Sequence, residues 1–365
     1  MNKQIRITAS FAAIGAAMAL VLGKRSTERT RKMLKRIPAP PPLSRAGRGT
    51  LRHACLALAG PVLATNVAMA QNWVASGPLG KPVIPFDAIV AGWDPVVING
   101  LPEPLYVCRG SAGQVGRFRA DFTGCDFGYG GREITDPDFK FLVTSWQDAS
   151  SGSVPSNAVI GGWDAGSPWP PLYYCRAHLA GSDLEPGKIR PGFPGCLIPY
   201  GGVEQVATYY QVLVSLSPAM PLTTVVASGG YVPPDAIRGG TDNDGTPLYL
   251  CTAVYGGGSH PGKLKPAFKG CDVSYGGGEH VVASYSVLVP KWVKFAPSPP
   301  WYLDFDFPAG TDTSGLPLYV CRAYFGLGVY PGKMQATWTA CNFGWGGTEQ
   351  HSTDFDVLSD IFELK

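Results

Sequence analysis

The stretch Leu248-Tyr249-Leu250-Cys251, followed by Pro261-Gly262-Lys263 and then by Cys271-Asp272-Val273-Ser274-Tyr275-Gly276-Gly277-Gly278-Glu279, recurs in related form four times in this chain. The other copies begin at Leu105-Tyr106-Val107-Cys108, Leu172-Tyr173-Tyr174-Cys175 and Leu318-Tyr319-Val320-Cys321. They continue through Cys125 to Glu133, Cys196 to Glu204 and Cys341 to Glu349, each with an aromatic-glycine-glycine turn before the glutamate. First cysteines follow one another at 67, 76 and 70 residues. A period of that length with two cysteines per unit describes a repeated small domain.

Around the second cysteine the pattern alternates with period two. Cys125, Phe127 and Tyr129 share one face, as do Cys196, Ile198 and Tyr200; so do Cys271, Val273 and Tyr275, and Cys341, Phe343 and Trp345. That is the signature of a half-buried strand. The second copy departs on the other face, with Leu197 and Pro199 where its fellows carry small or polar residues. Further strands are expected at Phe139–Val143, Tyr210–Val214, Tyr285–Val289 and Phe355–Leu358. With 47 glycines and 34 prolines, no long amphipathic helix is expected and the fold class is all-β with many turns.

The first 70 residues differ from the rest. They hold twelve of the thirty Lys and Arg residues and one acid, Glu28, leaving 18 basic against 26 acidic residues, a net of about −8, in the remainder. No basic footprint for nucleic acid survives there. Arg45, Arg48 and Arg52 precede the apolar run Ala54–Ala68, and Ala68-Met69-Ala70 closes it. That order describes a secretory signal peptide cleaved near Ala70, with Met33 as an alternative start. The run is too short and alanine-rich for a membrane span. Removing Cys55 with the leader turns nine cysteines into eight, two per repeat, which in a secreted or periplasmic chain reads as a disulfide framework. Eight cysteines allow 105 pairings. The simplest is local, Cys108–Cys125, Cys175–Cys196, Cys251–Cys271 and Cys321–Cys341, each contributing on the order of 3 kcal/mol by loop entropy to a unit with a thin core. Zinc sites usually bring ligands two to four residues apart, and this spacing does not.

The repeats are expected to pair in sequence order. The prolines Pro218 and Pro221 within Ser215–Thr224 mark the best linker, dividing the chain into a module of 72–218 (repeats 72–145 and 146–218) and a module of 222–365 (repeats 222–290 and 291–365).

Three polar positions recur. One is an aspartate in Gly161-Gly162-Trp163-Asp164 and Gly239-Gly240-Thr241-Asp242, with the variants Ala91-Gly92-Trp93-Asp94 and Ala309-Gly310-Thr311-Asp312. The second is the lysine of proline-glycine-lysine, Lys188, Lys263 and Lys333, with Arg117 in the matching place of the first repeat. The third is the glutamate: Glu133, Glu204, Glu279 and Glu349. Each has a structural reading: aspartate as turn former, proline-glycine-lysine as a tight turn with an exposed cation, glutamate as a cap on backbone groups. Each also has a binding one. A carboxylate and an ammonium on loops bounding one strand accept from one hydroxyl of a polyol and donate to another. Trp93 and Trp163 would supply an apolar wall for a sugar ring, or serve as core residues. Asp242-Asn243-Asp244-Gly245 resembles half of a calcium loop without its later glutamate. No nucleophile elbow, metalloprotease helix or phosphate loop is present in the sequence, and no metal or cofactor is expected.

The string valine-proline-x-x-alanine-isoleucine-x-glycine-glycine-x-aspartate, then leucine-tyrosine, arginine-alanine, proline-glycine-lysine and tyrosine-glycine-glycine-x-glutamate resembles the DM-nine repeat family. It is fullest in Val232–Glu279, with Thr252 for the arginine, and in Val154–Glu204, with Val159 for the isoleucine. The resemblance covers nearly all of 72–365. It implies tandem β-sandwich repeats that interlock by strand exchange, and a likeness to mannose-binding lectins and to the amino-terminal part of natterin-type toxins. It marks Asp164 with Lys188, Asp242 with Lys263, and Asp312 with Lys333 as sugar contacts. Asp94 with Arg117 departs from the pattern, because arginine keeps the charge without the compact geometry. The expectation is a secreted, non-enzymatic, mannose-type carbohydrate-binding protein whose partners are surface glycans or polysaccharides. The alternatives are a structural or adhesive surface protein, and a hydrolase of envelope polysaccharide.

Overall fold

Gly187 shows why these repeats fold as they do. In the computed structural model, proline-glycine-lysine forms a strand and not a turn: Glu185–Ile189 in the second repeat, Gly258–Leu264 in the third. A side chain at Gly187, Gly262, Gly116 or Gly332 would stand 2.1–2.3 Å from a carbonyl oxygen of the neighbouring cysteine strand. Only glycine allows that approach. The first cysteine of each repeat lies in register with this same glycine. All four local disulfides form, linking the two strands that flank the glycine with Cα–Cα distances of 5.8–6.0 Å.

The structure describes residues 72–77, 82–98, 101–166, 168–179, 184–295 and 307–359, all inside one compact unit, Thr65–Lys365. The expected signal peptide, Cys55 and most of the fourth repeat's lead-in lie outside the described residues. Among the described residues there is no helix. Each repeat contributes seven strands. In the second they are Ser145–Ser150, Ile160–Trp163, Pro171–Ala177, Glu185–Ile189, Cys196–Tyr200, Val203–Ala207 and Tyr209–Val214. The opening strand pairs with the closing strand of its own repeat in every copy, so each unit is an all-β, disulfide-stapled element.

Hydrogen bonding does not follow the expected division at 218–222. One 14-stranded sheet joins the first repeat to the fourth, and a second joins the second to the third. The joints are equivalent. The glutamate strands meet at Arg132 and Thr348 in one sheet and at Val203 and Gly278 in the other. The strand carrying the tryptophan of the aspartate motif crosses to the partner repeat, pairing Trp93 with Val329 and Trp163 with Ser259. The second glycine of glycine-glycine-x-aspartate explains the crossing. A Cβ at Gly92, Gly162, Gly240 or Gly310 would fall 1.9–2.0 Å from a partner-repeat carbonyl oxygen.

The proline-rich segment between the second and third repeats is not slack. Met220 is buried in the core, Lys291 N donates to Pro221 O at 2.9 Å, and the strand Leu222–Ser228 follows at once. That core draws on all four repeats, with Ile89 and Leu142, Tyr174 and Leu213, Ile237 and Leu288, and Leu318 and Leu358 in contact. Ion pairs cross between the two sheets as well: Arg176 to Asp87 at 2.6 Å and Arg322 to Asp235 at 3.0 Å. Apolar burial is the main favourable term in such a fold, and here no repeat can be removed without opening the shared centre.

Candidate functional site

Asp164, Asp242 and Asp312 directly follow the last residue of their strands and Asp94 lies within Val90–Ile98; the first three use one oxygen to close their own turn. Oδ1 accepts from Ala165 N at 2.9 Å in Asp164, from Asn243 N at 2.7 Å in Asp242, and from Ser314 N and Leu316 N at 2.8 Å in Asp312. The other oxygen faces a residue that the sequence reading passed over. It lies two positions after the expected lysine, on the same side of the strand. Arg190 Nε donates to Asp164 Oδ2 at 2.8 Å, Arg119 Nη1 to Asp94 Oδ2 at 2.9 Å, Gln335 Nε2 to Asp312 Oδ2 at 2.6 Å, and Lys265 Nζ to Asp242 Oδ2. Three basic residues recurring at that offset were the available signal; Gln335 broke the charge pattern.

Of the four expected aspartate–cation pairs, that of Asp94 and Arg117 comes within an ion-pair distance, 4.0 Å. Among the described residues the other three aspartates make no ion pair with the lysine of their own repeat. Lys188, Lys263, Lys333 and Arg117 are all buried, and the three lysines are directed into their partner repeats. The residue receiving each lysine stands three places before the partner's own lysine or arginine. Lys263 Nζ donates to Glu185 Oε2 at 2.8 Å, Lys188 Nζ lies 3.0 Å from His260 Nδ1, and Lys333 Nζ donates to Gln114 Oε1. Arg117 differs: its Nη2 donates to Glu133 Oε1 of its own repeat at 2.8 Å, with the partner ring of Tyr330 centred 5.2 Å away. The expected loop cations are thus strand residues that lock repeats in pairs.

His260 shows how finely this is fitted. Its Nε2 is 3.0 Å from Tyr255 O, a pure acceptor, and its Nδ1 faces an ammonium, a pure donor. The ring is therefore neutral with its proton on Nε2. Burial, reinforced by Lys188, pushes the imidazole down to about 4. Burial likewise pushes Lys188 down to about 8, against the opposing pull of Glu204 and Asp164. Lys333 falls to about 8 for the same reason, against Glu349.

The aromatic residue before the glycine-glycine turn completes the three lysine sites from across the joint. Lys188 Nζ lies 5.6 Å from the Tyr275 ring centre, Lys263 5.1 Å from Tyr200, and Lys333 5.3 Å from Tyr129. Asn243 Nδ2, beside Asp242, donates to the Tyr200 hydroxyl at 2.8 Å, so that ring also reaches the aspartate turn. Three glutamates cap the partner's turn: Glu133 accepts from Gly347 N at 2.7 Å, Glu349 from Gly131 N at 2.9 Å, and Glu279 from Gly202 N at 2.6 Å. Glu204 meets the same turn by its backbone, donating to Gly277 O at 2.9 Å.

Trp163 is 45% exposed, whereas Trp93 is half-buried. The calcium-like turn is closed by Lys265, which reaches Asp242 and, at 3.3 Å, Asp244. Among the described residues no cluster of three His, Cys, Asp or Glu side chains is placed to hold a metal ion.

No curated protein matches this chain. Among solved structures it is similar to the nematode sperm cell motility protein MFP2B, at 13% identity and a TM-score of 0.19 over 80% of this chain and 97% of that one. The model of the DM9 repeat matches residues 99–207, 166–282 and 312–364. More than half of the sequence lies in those matches, including the cysteines and the lysine or arginine and glutamate positions of all four repeats: the chain belongs to the DM9 repeat family.

Proposed function

We propose that this chain is an exported, non-enzymatic carbohydrate-binding protein of the mannose-type lectin class. The observation that carries the reading is the recurrence of one polar arrangement. A carboxylate (Asp164, Asp242, Asp312 or Asp94) lies beside a donor two residues past Lys188, Lys263, Lys333 or Arg117, and a partner-repeat aromatic ring flanks the buried cation. Adjacent acceptor and donor groups suit the vicinal hydroxyls of a sugar, and a ring face suits its CH groups. Four oxidised cysteine pairs support an oxidising compartment. Several weak sites on one rigid body gain avidity on a multivalent glycan surface.

Titration of the whole chain with mannose and a glycan panel tests this, with Asp164→Asn and Asp242→Asn beside Lys188→Ala and Lys263→Ala. Binding that weakens in the aspartate variants, whose folding is less at risk than that of the buried lysine variants, supports the reading. Wild-type protein that binds no glycan sinks it.

One observation favours a structural or adhesive role instead. The opening strand Leu222–Ser228 is an edge of its sheet, free of charge and proline, with Val226 79% exposed. Natural edges are usually blunted, as the three-residue strands Trp73–Ala75 and Trp292–Lys294 are by length. Self-association that persists without Lys188, Lys263 and Lys333 and is abolished by Val226→Lys would favour that role.

A further inference from the structure

Where the second repeat's Trp163 pairs with the third repeat's Ser259, an open groove of about 560 Å³ runs along the joint. Trp163, Trp169, Val254, Gly257, Gly258 and Ser259 line it. Trp169 is 59% exposed and Val254 74% exposed. Two indoles and a valine left in water at one place are a concentration of apolar surface that the fold itself does not use. Such a patch on a soluble domain marks a binding surface.

The second repeat gives this groove its second indole. From the aspartate of the motif to the leucine of leucine-tyrosine there are eight positions in the second repeat (Asp164 to Leu172), six in the third (Asp242 to Leu248), six in the fourth (Asp312 to Leu318) and eleven in the first (Asp94 to Leu105), which has no tryptophan there. The extra length of the second repeat carries Trp169. On the other wall, the third repeat turns through Gly256-Gly257-Gly258, where the fourth has Gly326-Leu327-Gly328. An added Cβ at Gly257 would meet only Ala165 Cβ, at 3.9 Å, so the floor there is open. Leu327, 86% exposed, stands in the matching place of the other pair.

The polar groups beside the groove decide what fits. Asp164 follows Trp163 directly and holds Arg190 Nε on Oδ2 at 2.8 Å, with the arginine side chain 28% exposed. An apolar ring platform next to a carboxylate–guanidinium pair matches a pyranose, which has an apolar CH face and a rim of hydroxyls. We infer that the Trp163–Trp169 groove is a stacking subsite for the second ring of an oligosaccharide whose first ring occupies the Asp164 site. This rests on the carbohydrate-binding reading and adds to it a preference for two or more linked sugars over one, and for the second repeat over the other three.

The test uses the full chain with Trp169→Ala, Trp163→Ala, the conservative Trp169→Phe, and Asp164→Asn, titrated with mannose and with mannose di- and trisaccharides. Stacking of one ring contributes up to about tenfold in affinity. Trp169→Ala and Trp163→Ala are expected to weaken oligosaccharide binding by about that factor and keep the wild-type melting temperature; Trp169→Ala leaves mannose affinity unchanged, and Trp169→Phe largely restores binding. Oligosaccharide affinity unchanged in both alanine variants, while Asp164→Asn weakens every sugar, would overturn the subsite and leave the broader reading standing. Wild type that binds no glycan would overturn both. Occupation of the groove by an apolar probe such as anilinonaphthalene sulfonate, undisturbed by saturating oligosaccharide, would assign it to an apolar partner and overturn the subsite.

Discussion

Lys188 and Lys263 hold the same position in two interlocked repeats, yet their surroundings are opposite. Lys263 meets the fully buried carboxylate of Glu185 at 2.8 Å, with Glu279 at 3.9 Å. Lys188 meets a neutral imidazole and the carbonyl of Ser274. In the other sheet, Lys333 meets the amide of Gln114, whereas Arg117 pairs with Glu133 of its own repeat at 2.8 Å. Three different receivers, Gln114, Glu185 and His260, serve one lysine geometry. The interlock is therefore a matter of shape and donor direction first. Charge balance varies freely within it, and that is where the copies should part in behaviour.

The comparison is broken most directly by removing the cation. Lys263→Met leaves Glu185 buried without its partner, and loss of one member of a buried pair costs about 3–5 kcal/mol; urea unfolding at pH 7 measures it. Lys188→Met leaves only neutral acceptors behind, His260 Nδ1 and Ser274 O, and a buried acceptor without its donor costs about 1–3 kcal/mol, less than an unpaired buried charge. Equal losses in the two variants would show that the receivers do not matter.

Proton linkage sharpens the same contrast. Lys188 and Lys333 titrate near 8 in the folded chain and at 10.5 when unconstrained. Between those values the unfolded chain binds more protons, so their contribution to stability rises with pH from about 8 towards 10.5. That rise should shrink in Lys188→Met.

The smallest expected effect belongs to Asp272. Burial, and then repulsion from Glu279, push its carboxyl up to about 7, from an ordinary 3.8. Here the folded chain binds more protons between about 4 and 7, so stability is fully present below that window and is lost as pH rises through it. Asp272→Asn should stabilise the protein by about 1 kcal/mol at pH 8 and leave it unchanged at pH 3.5, read as melting temperature at the two values.

Much of the fold was legible because period-two alternation and paired cysteines are local signals. The strands around Cys125, Cys196, Cys271 and Cys341 and the closing strands stand where that pattern puts them. Proline-glycine-lysine misled, because proline and glycine both mark turns by habit. At Gly187 and Gly262 the glycine serves instead to let two backbones touch. The choice of partner repeat was invisible, since all four copies carry the same joining residues and nothing local distinguishes neighbour from distant copy. The site was half legible. The recurrence of Asp164, Asp242 and Asp312 is visible in the sequence, whereas Arg190, Lys265 and Gln335 needed the register of the strand to be seen as their partners.

The pairing of first with fourth and second with third repeats has the form of nested brackets, one pair enclosed in the chain by the other. During synthesis the inner pair can close as soon as the third repeat has emerged. The first repeat, made earliest, must wait longest, because the strands of Arg132 and Trp93 meet their partner repeat at Thr348 and Val329. Contacts of such sequence separation are slow to form and leave strand edges uncovered meanwhile. A chain truncated before the fourth repeat would therefore lose the use of its first repeat as well, and damage at the carboxyl end would be felt at the amino end.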